Sequence, residues 1–314
     1  MIIIAEFCQN HNGDFELLKE MLYAAKESGA DYAKIQTIFA DMLSYRERFE
    51  TGIVKNGIEM AIKRPYKDEY ERLKKLELSM ERQAEFVELC KSIDIKPLTT
   101  VFTRDSISLI KTAGFEEIKI ASYDCSSMPL LKDVKESFNK IFVSTGATND
   151  DEIEAASKLL DGSDFSFLHC VSQYPTPLNE YHLSRMNYLG TLCNKVGWSD
   201  HSLVERDGIF GTLASIYYGA EIIERHFTIL PANKTKDGPV SIRPEHVVEL
   251  KQFSELSKEE MREILKNTFP NYQSTLGNAK RALSEIELKN RDYYRTRFAS
   301  KMSNGNTYYN WEYI

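Results

Sequence analysis

Two histidines, His201 and His226, close short apolar runs, Lys195-Val-Gly-Trp-Ser-Asp-His201 and Ala220-Glu-Ile-Ile-Glu-Arg-His226. Both runs have strand character, and the spacing of 25 from one histidine to the other is enough for one helix and its loops. Two adjacent parallel strands would bring both imidazoles to the same end of a sheet. Neutral imidazole ligates divalent transition metals, so the pair predicts a metal centre open to substrate.

Other apolar runs also end in residues with chemistry. The first ends at Glu6, followed by Gln9-Asn-His-Asn-Gly13. Later runs end with Lys34 and Gln36, Thr99 and Thr100, and Lys119 with Ser122 and Asp124. Then come Ser144-Thr-Gly146, His169 with Ser172 and Tyr174, Ser199, and Glu224. Two lysines and several hydroxyls form a set that can hold an anion, phosphate above all, through charge-assisted and neutral hydrogen bonds. Glu6 is the candidate for moving a proton. Together these groups suit carbon–carbon bond formation between a phosphorylated anion and a carbonyl polarised by a Lewis acid. His169 and His182 read as structural, His246 as a surface helix residue, and Cys170 as a small buried side chain.

These residues need a frame that converges on one rim. Eight strand-like runs recur along the chain: Ile2–Glu6, Tyr32–Gln36, Ile95–Thr100, Glu117–Ser122, Ile141–Thr145, Phe165–Val171, Val196–Ser199 and Glu221–His226. Amphipathic stretches alternate with them, such as Phe15–Ser28, Met80–Ser92 after Ser79, and Asp150–Leu160 after Asn149 with Glu152 at capping-box spacing. Repeated β-α units predict a parallel sheet with right-handed crossovers. Eight units predict an α/β fold, a (β/α)8 TIM barrel, with its active site at the C-terminal strand ends. No G-x-G-x-x-G follows the first strand, which disfavours a doubly wound sheet. The barrel is expected over residues 1–270 and a short C-terminal extension over 271–314. Phe39–Lys67 reads as an elaborated loop over the barrel mouth. The formal charge is −7 and the basic residues are scattered, so no nucleic-acid partner is expected. The five cysteines lack C-x-x-C spacing and fit reduced thiols in a cytoplasmic protein. No run suits a signal peptide or a membrane span.

The chain resembles the sialic acid synthases, which condense phosphoenolpyruvate with an N-acetylated sugar. The resemblance rests on Ala5-Glu6 with Asn10-His-Asn-Gly13, Ala30-Asp-Tyr-Ala-Lys34-Ile-Gln36 and Lys119-Ile-Ala-Ser122. Further on lie Ser144-Thr-Gly146, Leu168-His-Cys170 with Tyr174-Pro-Thr-Pro177, Gly197-Trp-Ser-Asp-His201 and Glu224-Arg-His226-Phe-Thr228. These motifs run in family order across roughly residues 1–290. The resemblance implies that His201 and His226 bind a divalent metal, usually Mn²⁺, with Mg²⁺ or Co²⁺ as alternatives. It implies that Lys34, Thr100, Lys119, Ser122, Ser144 and Ser199 hold the phosphate and carboxylate of phosphoenolpyruvate. Glu6 falls on the catalytic carboxylate, and Asp124 and Tyr174 fall where the family contacts the sugar. The implied product is a 2-keto-3-deoxy sugar acid, and a homodimer is an implied assembly.

The chain departs from the family pattern at several points. Ser172 stands where the family has Asn, Ser122-Tyr-Asp124 replaces Ser-Gly-Glu, and Gly238-Pro-Val240 replaces Gly-Pro-Asp. The family's C-terminal antifreeze-like domain has no room before Ile314. The departures fall on the sugar side, so an acceptor other than N-acetylmannosamine is expected. The alternatives are a related synthase with another acceptor, or a non-catalytic sugar-binding scaffold. A phosphorylated acceptor would need its own basic cluster, for which Arg46, Arg48, Lys55, Lys63 and Arg64 are available.

Overall fold

Strands with near-continuous apolar runs must be covered on both faces, and closing them into a cylinder wrapped by helices achieves this. The computed structural model describes the chain from Met1 to Ile314, with the side chain of Ile58 left aside. Its barrel strands are β1 (Ile2–Cys8), β2 (Tyr32–Gln36), β3 (Lys96–Val101), β4 (Glu117–Ile120), β5 (Lys140–Ser144), β6 (Asp164–His169), β7 (Lys195–Asp200) and β8 (Ile222–His226). Neighbours in sequence pair in parallel, and β1 pairs with β8 to close the barrel. The predicted (β/α)8 architecture is therefore the observed one. Two strands, β4 and β6, end two residues earlier than expected. Ser122 and Asp124 lie in a 3-10 turn, Ser122–Asp124, beyond β4. Cys170 and Val171 lie past the end of β6.

Period two sorts the side chains. Every second residue of a strand points into the barrel. Ile4, Tyr32, Leu98, Phe142, Leu168 and Ile222 form one inner apolar layer, each nearly or fully buried. Two residues further along these strands stand Glu6, Lys34, Thr100, Ser144 and Glu224, also buried. The inner layer thus changes from apolar to polar within one step toward the C-terminal ends. The outward faces pack against the helices through a second, larger core that includes Ile3, Leu18, Phe86, Ile118, Trp198 and Ile223.

The helices begin where their caps dictate. Asp14 accepts from the backbone of Glu16 and Leu17 and starts helix Phe15–Glu27. Glu152 accepts from the Asn149 N–H at 2.9 Å and starts helix Asp150–Leu160. Among the described residues, no helix is long and apolar enough to cross a membrane.

The expected loop over the mouth contains a short hairpin, Ile53–Lys55 with Ile58–Ala61. The C-terminal segment folds over the same mouth as a helix, Glu285–Arg295, and a two-residue hairpin, Ser300–Lys301 with Thr307–Tyr308. Loop and tail share small cores. Phe49, Ala61 and Tyr293 form one, and Ile38, Leu43, Leu73 and Phe298 belong to another.

Candidate active site

The polar layer holds two buried lysines and two buried carboxylates. Lys34 is ion-paired with Glu6 and lies 3.5 Å from Glu224. Lys119 lies 3.8 Å from Glu224 and donates to Ser144 Oγ at 2.5 Å and to the Ile120 carbonyl at 3.0 Å. Ser199 donates to Glu224 Oε1 at 2.8 Å. Burial alone would raise the Glu224 pKa, but Lys119 and Lys34 outweigh it and hold the carboxylate ionised. Thr100 sits level with Gln36 on β2 and Lys119 on β4. Glu6 also accepts the Cys8 N–H at 2.6 Å. Each buried lysine thus meets a carboxylate, as buried ionisable groups must.

Ser122 and Ser172 gather around Gly146. A methyl group there would stand 2.5 Å from Ser172 Oγ and 3.0 Å from Ser122 Oγ, so only glycine admits both hydroxyls. Cys170 packs into the same spot, 3.0 Å from Ser122 Oγ. Among the other histidines, His169 meets the Tyr181 carbonyl at 2.8 Å, His182 Nδ1 accepts from Asn278 N, and His246 Nδ1 accepts the Arg243 N–H.

The His201 and His226 rings stand 5.4 Å apart between centroids. The Tyr174 ring lies over His201 at 4.1 Å. Burial lowers the His201 pKa to about 3, with His226 adding to the effect, and burial likewise lowers His226. Both imidazoles are neutral at pH 7, the form that ligates metals. The residues between the ligand candidates position them from outside the barrel. Asp200 pairs with Arg225 at 2.5 Å and accepts from Tyr181 and Thr212, each at 2.6 Å. Burial raises the Asp200 pKa, but Arg225 and these donors reverse it to about 2.

The donor set fits a divalent metal. His201 Nδ1 is buried with no hydrogen-bond partner, and single donor atoms of Cys8, His226 and Asp237 lie within 4.8 Å of one another.

Above the polar layer opens a cavity of about 630 Å³. Gln36, Asp124, Tyr174 and His226 line it, as do Asn290, Tyr294, Arg295, Arg297 and Asn310 from the tail. The tail is clasped to the barrel by several contacts. Arg297 pairs with Glu69, Arg48 with Asp292 at 2.6 Å, and Arg291 with Glu152 at 2.5 Å. The Tyr123 ring, where the family has glycine, stacks on Tyr294 at 4.8 Å. Asp124 accepts from Asn310 at 2.9 Å and Ser127 at 3.0 Å. Burial raises its pKa to about 6 against these donors and Arg295.

The basic residues available in the strand-2 loop for a phosphorylated acceptor do not gather at the cavity as a group. Arg46 and Arg48 are spent on the tail, at the Tyr293 carbonyl and Asp292, and only Arg64 of that group lines the cavity. Its neighbours there are Arg72 and Lys236 from elsewhere, with Arg295 and Arg297.

Some contributors escape the sequence reading. Glu224 is legible from alternation with His226, which places both inside. Cys8 and Asp237, 229 positions apart, have no local signal, and neither do the tail residues.

The NeuB family profile matches residues 21–266. An N,N'-diacetyllegionaminic acid synthase from Campylobacter jejuni is 31% identical over 306 residues, covering 96% of this chain and 84% of the relative. A pseudaminic acid synthase from Helicobacter pylori is 29% identical over 244 residues, covering 76% and 69%. The solved N-acetylneuraminic acid (sialic acid) synthetase of Leptospira borgpetersenii, in complex with citrate, is similar with a TM-score of 0.69 at 28% identity. That match covers 93% of this chain and 90% of the other. Fold and relatives define the class, a (β/α)8-barrel sugar-acid synthase. The chain belongs to the NeuB family.

Proposed function

We propose that this chain condenses phosphoenolpyruvate with the aldehyde of an open-chain, N-acetylated aldose, yielding a 2-keto-3-deoxy sugar acid and phosphate. The observation that carries this reading is the compensated polar layer, Lys34, Lys119, Glu6 and Glu224, directly beneath a sugar-sized cavity. His201 and His226 would hold a divalent metal, Mn²⁺ in the family pattern, which supplies Lewis acidity to the acceptor carbonyl when bound. Lys34 and Lys119 neutralise the phosphate and carboxylate, with Thr100, Ser122, Ser144, Ser172 and Ser199 donating around them. C3 of phosphoenolpyruvate attacks the aldehyde carbon and the carbonyl oxygen takes a proton. The cationic C2 then takes up water, and Glu6 accepts a proton from it. Collapse of the tetrahedral C2 centre expels phosphate.

One observation favours an acceptor carrying a negative charge. Arg64, Arg72, Lys236, Arg295 and Arg297 line the cavity, against Asp124 and Asp237 there. Glu69 answers Arg72 and Arg297. The surplus is positive. The experiment is enol loss from phosphoenolpyruvate, with a panel of neutral and phosphorylated N-acetylated aldoses. Keto-deoxy acid formation with at least one acceptor is expected. No turnover with any of them would refute the synthase reading.

A further inference from the structure

The mouth holds a ligand constellation that the paired histidines do not exhaust. Cys8 Sγ lies 3.3 Å from His226 Nδ1 and 3.3 Å from Asp237 Oδ2. Three donors bound to one tetrahedral ion at about 2.0–2.3 Å stand about 3.3–3.8 Å apart. The two distances from Cys8 therefore fall within that range, and all three donor atoms lie within 4.8 Å of one another. The three side chains come from the end of β1, the end of β8 and the loop beyond β8, so no local turn accounts for their meeting.

Two further features point the same way. Cys8 has φ +41°, a left-handed conformation that a non-glycine residue rarely adopts. The β1–β2 register shifts between Glu6 and Cys8 at the same place. Backbone held in such a conformation is characteristic of sites where a side chain must be aimed. Beside the three donors stands His201, its Nδ1 buried and without a partner. Asp237 also sits three residues before Val240, where the family pattern has its carboxylate.

We propose that Cys8, His226 and Asp237 form the metal centre of this chain, with His201 adjoining. The thiolate in that set would select a borderline or soft ion, Zn²⁺, Co²⁺ or Fe²⁺, over Mn²⁺ and Mg²⁺. Hard cations prefer all-oxygen shells, whereas thiolate and imidazole together favour the later transition metals. Binding requires the Cys8 thiol to lose its proton to solvent as the metal–sulfur bond forms. The assignment deepens the proposed function and rests on its metal requirement, but it is tested by binding alone.

The test is titration of the metal-free protein with Co²⁺, followed by absorption spectroscopy. The wild type should show a thiolate-to-cobalt charge-transfer band in the near ultraviolet. Cys8→Ser should lose that band and bind Zn²⁺ at least about tenfold more weakly, while its Mn²⁺ affinity changes far less. Asp237→Asn should keep the band and weaken binding. X-ray absorption on the zinc-loaded wild type needs no variant, and it should show one sulfur scatterer at about 2.3 Å. Metal bound without sulfur, or an unchanged band in Cys8→Ser, would overturn the assignment while leaving a histidine-held metal in place. No binding of any divalent ion would remove this proposal and the metal requirement together, and turnover without metal would then be the remaining form of the synthase reading.

Discussion

Replacing Lys119 with methionine tests the anion cradle at its most isolated charge. The stem is kept and the ammonium is lost. In the resting protein that ammonium donates to Ser144 Oγ at 2.5 Å and lies 3.8 Å from Glu224. Glu224 keeps Lys34 at 3.5 Å and the Ser199 hydroxyl at 2.8 Å, so the variant does not strand an unpaired carboxylate. Hydrogen bonds to charged groups contribute about 1.5–3 kcal/mol each. Losing one such bond to phosphoenolpyruvate corresponds to about a 10- to 150-fold weaker affinity, at 1.4 kcal/mol per factor of ten. The cradle also becomes net negative, which adds repulsion, so tenfold is the floor. Lys119 does not line the upper cavity, and KM for the acceptor should move less than about threefold. Steady-state kinetics with each substrate varied in turn separates the two, and calorimetry gives phosphoenolpyruvate binding directly. A thermal melt confirms the fold. Equal losses for both substrates, or intact phosphoenolpyruvate binding in a folded variant, would refute the placement of the phosphate.

Asp200→Asn should destabilise the protein by about 3–5 kcal/mol at pH 7, because Arg225 is left buried without its counter-charge. In the wild type the depressed Asp200 pKa, about 2 in the folded state against about 3.9 unfolded, contributes stability above pH 4 that is lost as pH falls toward 2. Urea midpoints between pH 2 and 5 should therefore slope less in the variant, and parallel slopes would contradict the assignment. Asp124 titrates near 6, so KM for the acceptor should rise as pH drops through that value, while Asp124→Asn should flatten the profile without altering phosphoenolpyruvate binding. Lys236→Gln should raise KM for a phosphorylated acceptor about tenfold or more and leave a neutral one nearly unchanged. If neutral aldoses turn over and lose as much, the positive rim serves another purpose.

The closed barrel was legible because its rules are local. Apolar runs of strand length, amphipathic stretches between them, and caps such as Asp14 and Glu152 each depend on a few neighbouring residues. Period two, which the reading of strand ends did not use, is also written in the chain. Ile4 and Glu6, Tyr32 and Lys34, and Ile222 and Glu224 alternate in step, so a polar floor at the C-terminal ends follows from the chain alone once a barrel is assumed. Ser122 fell outside its expected strand because a short turn beginning Ser-Tyr-Asp leaves no period to read.

By itself, then, the sequence determined the barrel, the rim on which Glu6, Lys34, Lys119, His201 and His226 meet, and the family. Tertiary structure alone decided three matters. It set Cys8 against Asp237 across 229 positions, through closure of β1 on β8 and a loop without periodicity. It folded the tail over its own barrel, through clasps such as Arg297 with Glu69 and the stacking of Tyr123 on Tyr294. It also chose which cations reach the cavity, sending Arg46 and Arg48 to the tail while drawing in Arg72 and Lys236. The physical reason is common to all three: contacts between irregular segments depend on where the closed barrel holds their ends, and short-range patterns carry no record of that distance.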